Sequence, residues 1–516
     1  MKATLTDLLS TVYINDVLAS LQAWTNESVL QETSDMHMQE GGILVMAKIL
    51  FRNVKAIVTC DPDDSVYYDA DMLVDGPAII KIGRNIPSEG ALVIDGHDKF
   101  MYPGLINTHH HFFQAFVRNL ITIDRPNMTV MQWLAKAQET FQMVNSDVIY
   151  YASLTAMADL IKHGCTTAFD HQYMDNDDSE SCPIDRQFEA AQLLGMRFHA
   201  GRGGSTRSIA EGSFVPECMC ETTDSFLSDC DRLISKFHDS GKYSMRQIVI
   251  APTQPFSCKE ETFIESARLA RRRKVRLHTH LNEGEVSQMI SRTGMRTLKW
   301  AEKTGFIGPD VWIAHGRETT PEEYHVLAEY GTGIAHCPAP TFYGATEMLN
   351  IPAMKKAGII ISLGTDGCST NEGSNMLETV RLAYLMQTFR NKDKTGCPSP
   401  YEILKMATVN GAKVLGRTDI GYLKEGMAAD LFLIDIGTLE YAGALHDPMN
   451  IIPKLGVAGP VWMTMINGRI VFQDGKLPGI DERKLAKEGE GVCTRVLRNH
   501  CDVFSQLKSV LSVYSR

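Results

Sequence analysis

Eight short β-like apolar runs, ending at Asn107, Phe169, His199, Ala251, His278, Ala314, Ala335 and Leu363, divide the middle of this chain at a regular rhythm. Amphipathic stretches such as Phe263 to Arg272 and Glu322 to Tyr330 lie between most of them. Strands that alternate with helices in this way build a parallel sheet, and eight such units close into a (β/α)8 barrel of the TIM type. No residue-level repeat of solenoid length is present. The barrel is expected over about residues 101–417.

Further β-rich runs flank it. Ile49-Leu50-Phe51, Ala56-Ile57-Val58, Ala78 to Ile80 and Leu92 to Ile94 precede the barrel. Ala429 to Ile434, Val461 to Ile466 and Ile470-Val471-Phe472 follow it, with an Asn467-Gly468 turn before the last. Residues 46–100 and 418–475 are therefore expected to assemble one small β-sandwich domain from both ends of the chain. Leu5, Leu8, Leu9, Val12, Val17, Leu18 and Leu21 fall near helical spacing, so residues 1–45 read as an amphipathic extension and a polar linker. Residues 476–516 form a C-terminal tail, read with that extension as a source of subunit contacts.

Composition removes several classes of function. With 51 Lys+Arg against 62 Asp+Glu the formal charge is −11, which argues against nucleic acid or an anionic membrane surface as partner. The run Arg271-Arg272-Arg273-Lys274 closes a predicted helix, where cations suit the negative end of the dipole. No apolar run approaches the roughly 20 residues that span a bilayer. Twelve scattered cysteines suit a reducing, cytoplasmic compartment. A small molecule is the expected partner.

Barrel chemistry sits just past the C-terminal ends of the strands. The first run is followed by Asn107-Thr108-His109-His110-His111. Residues i and i+2 of an extended segment point the same way, so His109 and His111 suit one metal; an exposed histidine loop is the alternative. The fifth run ends Leu277-His278-Thr279-His280, with Glu283 three residues on. The sixth ends at His315, and the eighth ends Gly364-Thr365-Asp366. Three histidines and an aspartate, with a spare Glu and His, converge on one mouth. Nitrogen and oxygen donors without thiolate suit Zn²⁺, with Fe²⁺ or Mn²⁺ as alternatives.

These segments resemble the amidohydrolase superfamily, in its branch of nucleobase and triazine deaminases. Pro103 to His111 is similar to that family's first metal motif, and His163-Gly164-Cys165-Thr166-Thr167 with Asp170-His171-Gln172-Tyr173 resembles its second-strand region. Phe198 to Gly203, Ala335-His336-Cys337-Pro338, Thr365-Asp366-Gly367 and Ala429-Asp430-Leu431 fit the same pattern. The resemblance covers about Lys48 to Phe472. It implies one metal per subunit held by His109, His111, His280 and Asp366, and often a homodimer or larger assembly. The fourth run is followed by Pro252-Thr253-Gln254 and offers no lysine for a bridged second ion.

The expected reaction is hydrolytic deamination of an aromatic N-heterocycle of purine, pyrimidine, pterin or triazine type. Hydroxide generated at the metal attacks a ring carbon and ammonia leaves. Asp366 takes the water's proton, Glu283 protonates the ring nitrogen and His315 orients the attacked centre. Displacement of chloride or alkylamine, or opening of a cyclic amide, is the alternative. A catalytically inactive scaffold would lack ligands, and all are present. Gln114, His171 and Arg202 are candidate substrate contacts; for Arg202 a loop-anchoring ion pair is the competing reading. The chain departs from the branch at Gly204 to Ser208, at Gly316-Arg317 and at Ala339 to Gly344, all around the expected pocket mouth.

Overall fold

The computed structural model describes residues 48–120, 128, 130–174, 183–344, 346–392, 394 and 396–499. The N-terminal extension expected over 1–45, and the last part of the tail, lie outside them.

Eight parallel strands form the barrel: Leu105–Asn107, Cys165–Gln172, Arg197–Gly204, Arg246–Pro252, Arg276–Leu281, Val311–His315, Gly333–His336 and Ile361–Leu363. Each pairs with its neighbour in sequence order. Seven of the eight are buried at nearly every position, as strands covered on both faces must be. The ring closes where the Thr108 N–H donates to the Leu363 carbonyl at 3.1 Å and the Asp366 N–H to the His109 carbonyl at 3.1 Å. A glycine is needed at that seam, because a Cβ on Gly364 would lie 2.8 Å from the His109 Cβ. Ile106, Phe169, Val249, Trp312 and Ala335 fill the barrel interior below the site.

The expected helices form between the strands. Glu260–Arg273 carries acidic residues in its first turn and Arg271, Arg272 and Arg273 in its last, and Arg271 pairs with Asp310 at 3.1 Å. Pro321–Tyr330 begins with a reciprocal cap between Thr320 and Glu323 and ends at left-handed Gly331.

The strands from both ends share one sheet. Its order is Arg469–Gln473, Met463–Ile466, Leu431–Asp435, Lys99–Pro103, Lys48–Val58, Val66–Asp75 and Ala78–Gly83, with Ala91–Asp95 also paired to Lys48–Val58. The long strand Lys48–Val58 changes register between Phe51 and Val54, where Asn53 takes a left-handed conformation. Its first half pairs with Ala91–Asp95 and its second with Lys99–Pro103, so the sheet bends around Phe51, Val54, Ile57, Met72, Leu433 and Met463. The strand to Pro103 belongs to this layer, and the barrel begins at Leu105.

The layer is joined to the barrel by Arg197 of the third strand, which is fully buried. Its guanidinium makes a two-pronged contact with Asp430, at 2.9 and 3.0 Å, and also donates to Asn467 and the Tyr243 carbonyl. In the described part of the tail, Glu482–Asn499 buries Gly489, Val492 and Val496. It packs in the cluster of Phe113, Val117, Phe141 and Val148, beside the metal-motif segment of the same chain. No helix among the described residues is long and apolar enough to cross a membrane.

Arg197→Met is expected to cost about 3–5 kcal/mol, because Asp430 is left charged, buried and unpaired. Urea unfolding of Arg197→Met against the double variant Arg197→Met/Asp430→Leu checks this; the double variant recovers most of the loss.

Candidate active site

Past the first strand, extended residues carry His109 and His111 to one side, their rings 4.8 Å apart and edge to face. The chain then turns into a short 3₁₀ helix, Phe112–Phe116. The Phe112 N–H donates to buried Asp170 of the second strand, whose other oxygen accepts from Gln187 at 2.7 Å. His280 projects from the fifth strand. Asp366 follows the eighth in a left-handed conformation at φ 64°, and His315, the last residue of the sixth, shares it at φ 70°. Such backbone strain at strand ends recurs at functional sites, where surrounding contacts hold it.

The partners of the imidazoles assign their protons. His111 Nδ1 lies 2.9 Å from the His171 carbonyl, and His280 Nδ1 lies 2.8 Å from the Thr253 carbonyl. A carbonyl only accepts, so each Nδ1 carries the hydrogen and each Nε2 of the neutral ring presents a lone pair. His109 is assigned through a second histidine. His278 Nδ1 donates to the Trp312 carbonyl at 3.0 Å, so its Nε2 accepts from His109 Nδ1 at 2.9 Å. His109 Nε2 is then a third lone pair, buried and without a hydrogen-bond partner.

These three nitrogens face one another and a carboxylate. His111 and His280 Nε2 are 3.1 Å apart, and Asp366 Oδ1 lies 3.3 Å from His111 Nε2 and 3.5 Å from His109 Nε2. Burial holds His109 down to about 4 and His111 well below the usual histidine range. Burial pushes the Asp366 carboxyl up, but its contact with His109 and the nearby His315 outweigh that and hold it well below the ordinary carboxylate range. Lone pairs and a carboxylate at these separations repel unless a cation lies between them. The donor set, three imidazoles and one carboxylate without thiolate, fits a single divalent ion, and each imidazole already has its outer nitrogen oriented.

Beside the cation position lie His315 and Glu283. His315 Nε2 is 3.3 Å from Glu283 Oε1 and 4.0 Å from Asp366 Oδ2. Burial raises the Glu283 carboxyl, against the opposing pull of Arg317. Its loop is shaped by Glu285, whose carboxylate accepts the N–H groups of Asn282, Glu283 and Gly284 at 2.7, 2.8 and 3.1 Å.

A cavity of about 130 Å³ opens over this set, walled by His111, His280, Glu283, His315 and Asp366. Gln114, Thr253 and Gln254 add polar groups, while Met128, Trp133, Leu134, Phe214, Val215 and Met219 form an apolar lobe. The Gln114 carbonyl is fixed by Ser369, which donates its hydroxyl at 2.5 Å, and the Gln114 amide lies 3.4 Å from the Tyr173 hydroxyl. Gly367 admits this placement, since a Cβ there would sit 1.9 Å from Gln114 Oε1.

Of the nine candidate residues, His109, His111, His280, Asp366, Glu283, His315 and Gln114 converge here. His171 and Arg202 are not on the cavity wall. His171 is buried beneath the cluster, stacked on His280 at 4.9 Å, with Nε2 donating to the Ala251 carbonyl at 2.7 Å. Arg202 is bound to Glu221 at 2.8 and 2.9 Å and to Asp229 at 2.6 Å, the loop-anchoring arrangement. Sequence reasoning missed His278, Glu285 and Arg317. For His278 the signal was present, as a second His-x-His pair on an extended run.

A closed parallel barrel with three convergent imidazoles, a carboxylate and a neighbouring Glu–His pair at its C-terminal mouth fits a metal-dependent hydrolase. The chain belongs to the amidohydrolase family, which it matches over residues 100–471, and it is a hydrolase of carbon–nitrogen bonds. It is 48% identical over 463 residues to hydroxydechloroatrazine ethylaminohydrolase of Pseudomonas sp. strain ADP, covering 88% of this chain and 96% of that protein. It is 33% identical to 8-oxoguanine deaminase of Pseudomonas aeruginosa, covering 84% of this chain and 96% of that enzyme. The zinc complex of atrazine chlorohydrolase from Arthrobacter aurescens has a similar structure, with a TM-score of 0.83 at 29% identity over 86% of this chain and 100% of that one.

His278→Phe keeps ring volume but removes the acceptor for His109. Metal affinity is expected to fall about 10–100-fold, measured by competition with a chromophoric chelator. An unchanged affinity would refute the relay through His278.

Proposed function

We propose that the enzyme deaminates an aromatic N-heterocycle of purine, pyrimidine, pterin or triazine type, and that its ion is a single Zn²⁺, with Fe²⁺ or Mn²⁺ as alternatives. The observation that carries this reading is the Glu283–His315–Asp366 set, arranged beside a cation position on the wall of a ring-sized cavity. When bound, the ion supplies a water whose pKa is lowered to about 7. His109, His111, His280 and Asp366 would hold it.

The chain's own groups then move protons. Asp366 accepts a proton from the attacking water at its carboxylate. Glu283, whose carboxyl burial raises, protonates the ring nitrogen beside the attacked carbon. His315 donates a hydrogen bond from Nε2 to the oxygen that becomes bonded to that carbon. The C–O bond forms and the C–N bond breaks; the amine leaves with the proton held by Asp366, and the proton of the new hydroxyl returns to Glu283. The Gln114 amide meets an acceptor on the ring edge.

A second reading keeps this chemistry and changes the leaving group to an alkylamine or chloride. It is favoured by the 48% identical relative named an ethylaminohydrolase and by the apolar lobe, which suits an alkyl substituent. We take the partner to be this small molecule and not nucleic acid or membrane. The ten described cysteines are all free thiols, in keeping with a reducing cytoplasmic location. Exposed Leu385 and Phe389 support assembly as a homodimer or larger, for which sedimentation velocity should find no monomer at micromolar concentration.

The deciding experiment offers zinc-loaded protein a panel of amino- and ethylamino-substituted rings and assays ammonia and ethylamine separately. Glu283→Gln should lower kcat by about 10²–10⁴-fold with the metal retained. Ethylamine alone would select the alkylamine form of the second reading, and no amine from any ring would reject the deamination reading.

A further inference from the structure

Four histidine rings surround the cation position, yet the roles above require His315 to stay off the ion. His315 is buried, and its Nε2 lies among potential ligand atoms, grouped with His109 and Asp366. Geometry alone would admit it as a fourth imidazole ligand. What separates it from the other three is the partner of its outer nitrogen. His111 and His280 place Nδ1 against carbonyls and His109 donates to His278, so all three present Nε2 lone pairs. His315 Nδ1 instead lies 3.1 Å from Arg317 Nη2. A guanidinium has no acceptor, so Nδ1 must accept and Nε2 must carry the hydrogen of the neutral ring.

We propose that Arg317 is a positioning residue that locks His315 as the Nε2–H tautomer, keeps it out of the metal's coordination shell and so preserves it as a hydrogen-bond donor to the reacting oxygen. The guanidinium is itself fixed. It is nearly buried, its Nη1 donates to Thr346 Oγ1 at 3.1 Å, and its Nη2 lies 3.5 Å from Glu283 Oε1. One cation thus sets the proton of His315 and steadies the carboxyl of Glu283. Gly316-Arg317 is one of the places where this chain departs from the pattern it resembles, and the Arg317–Thr346 bond ties it to the chain just past another, Ala339 to Gly344.

The inference rests on the deamination reading for the task of His315, but not for its test. Apo-protein is loaded with ¹¹³Cd²⁺ alone, and NMR counts the imidazole signals scalar-coupled to the ion, a coupling that only a coordinated ring shows. The native protein should give three. Arg317→Met should give four, because His315 without its donor adopts the Nδ1–H form and ligates through Nε2. Arg317→Met/His315→Gln should return to three. Arg317→Gln, whose amide is too short to reach Nδ1, should also give four and carries the count if Arg317→Met does not fold. On whichever substrate the panel identifies, kcat of the zinc form should fall about 10²-fold with KM within about threefold.

Three signals in both single variants would overturn the inference, and with a raised KM would make Arg317 a substrate contact. Four signals together with a silent substrate panel would uphold the inference and sink the deamination reading alone.

Discussion

Two imidazole nitrogens 3.1 Å apart, each presenting a lone pair toward the other, repel unless a cation lies between them. Much of the site's architecture exists to impose that arrangement. The proton on the far side of each ring decides where its lone pair points, and those protons are held from across the barrel. His171 of the second strand holds His111, and Thr253, just past the fourth, holds His280. The Trp312 carbonyl of the sixth strand holds His109 through His278. Asp366 reaches the cluster from the seam that joins the last strand to the first. The metal site is therefore as well ordered as the closure of the ring.

Burial does the electrostatic work in both directions. It disfavours charge on His109 and His111, leaving neutral rings, and raises the Glu283 carboxyl. Asp366 resists the same burial only because of the groups facing it. Neighbouring carboxylates thus differ in character through environment, Glu283 raised and Asp366 lowered. The left-handed backbone at His315 and Asp366 turns both side chains over the mouth.

The outer layers serve this centre at a distance. The bent sheet built from both chain ends covers the barrel and is tied to it through Arg197 and Asp430, while Val492 and Val496 of the C-terminal helix pack in the cluster that includes Phe113 and Phe141, beside the metal motif. Over Glu482–Asn499 the tail is a helix packed on its own chain.

The barrel was legible because its signal is local: each strand is a short apolar run, and each was found at its predicted place from Leu105–Asn107 to Ile361–Leu363. The residues gathered around the cation position were legible for the same reason, since strand ends point to one mouth and His109-x-His111 share a side by period alone. Side-chain partnership across the barrel carries no such local mark. Arg202, legible only as a pocket residue or an anchor, met Glu221 and Asp229, and His171 turned beneath the cluster instead of toward the cavity. His278, Glu285 and Arg317 act through hydrogen bonds whose meaning lies in which atom faces which. The sequence by itself determined which residues stand at the mouth, because periodicity and strand order are properties of the chain. The tertiary structure alone decided which histidine nitrogens hold protons, because that depends on partners brought together only when the ring closes.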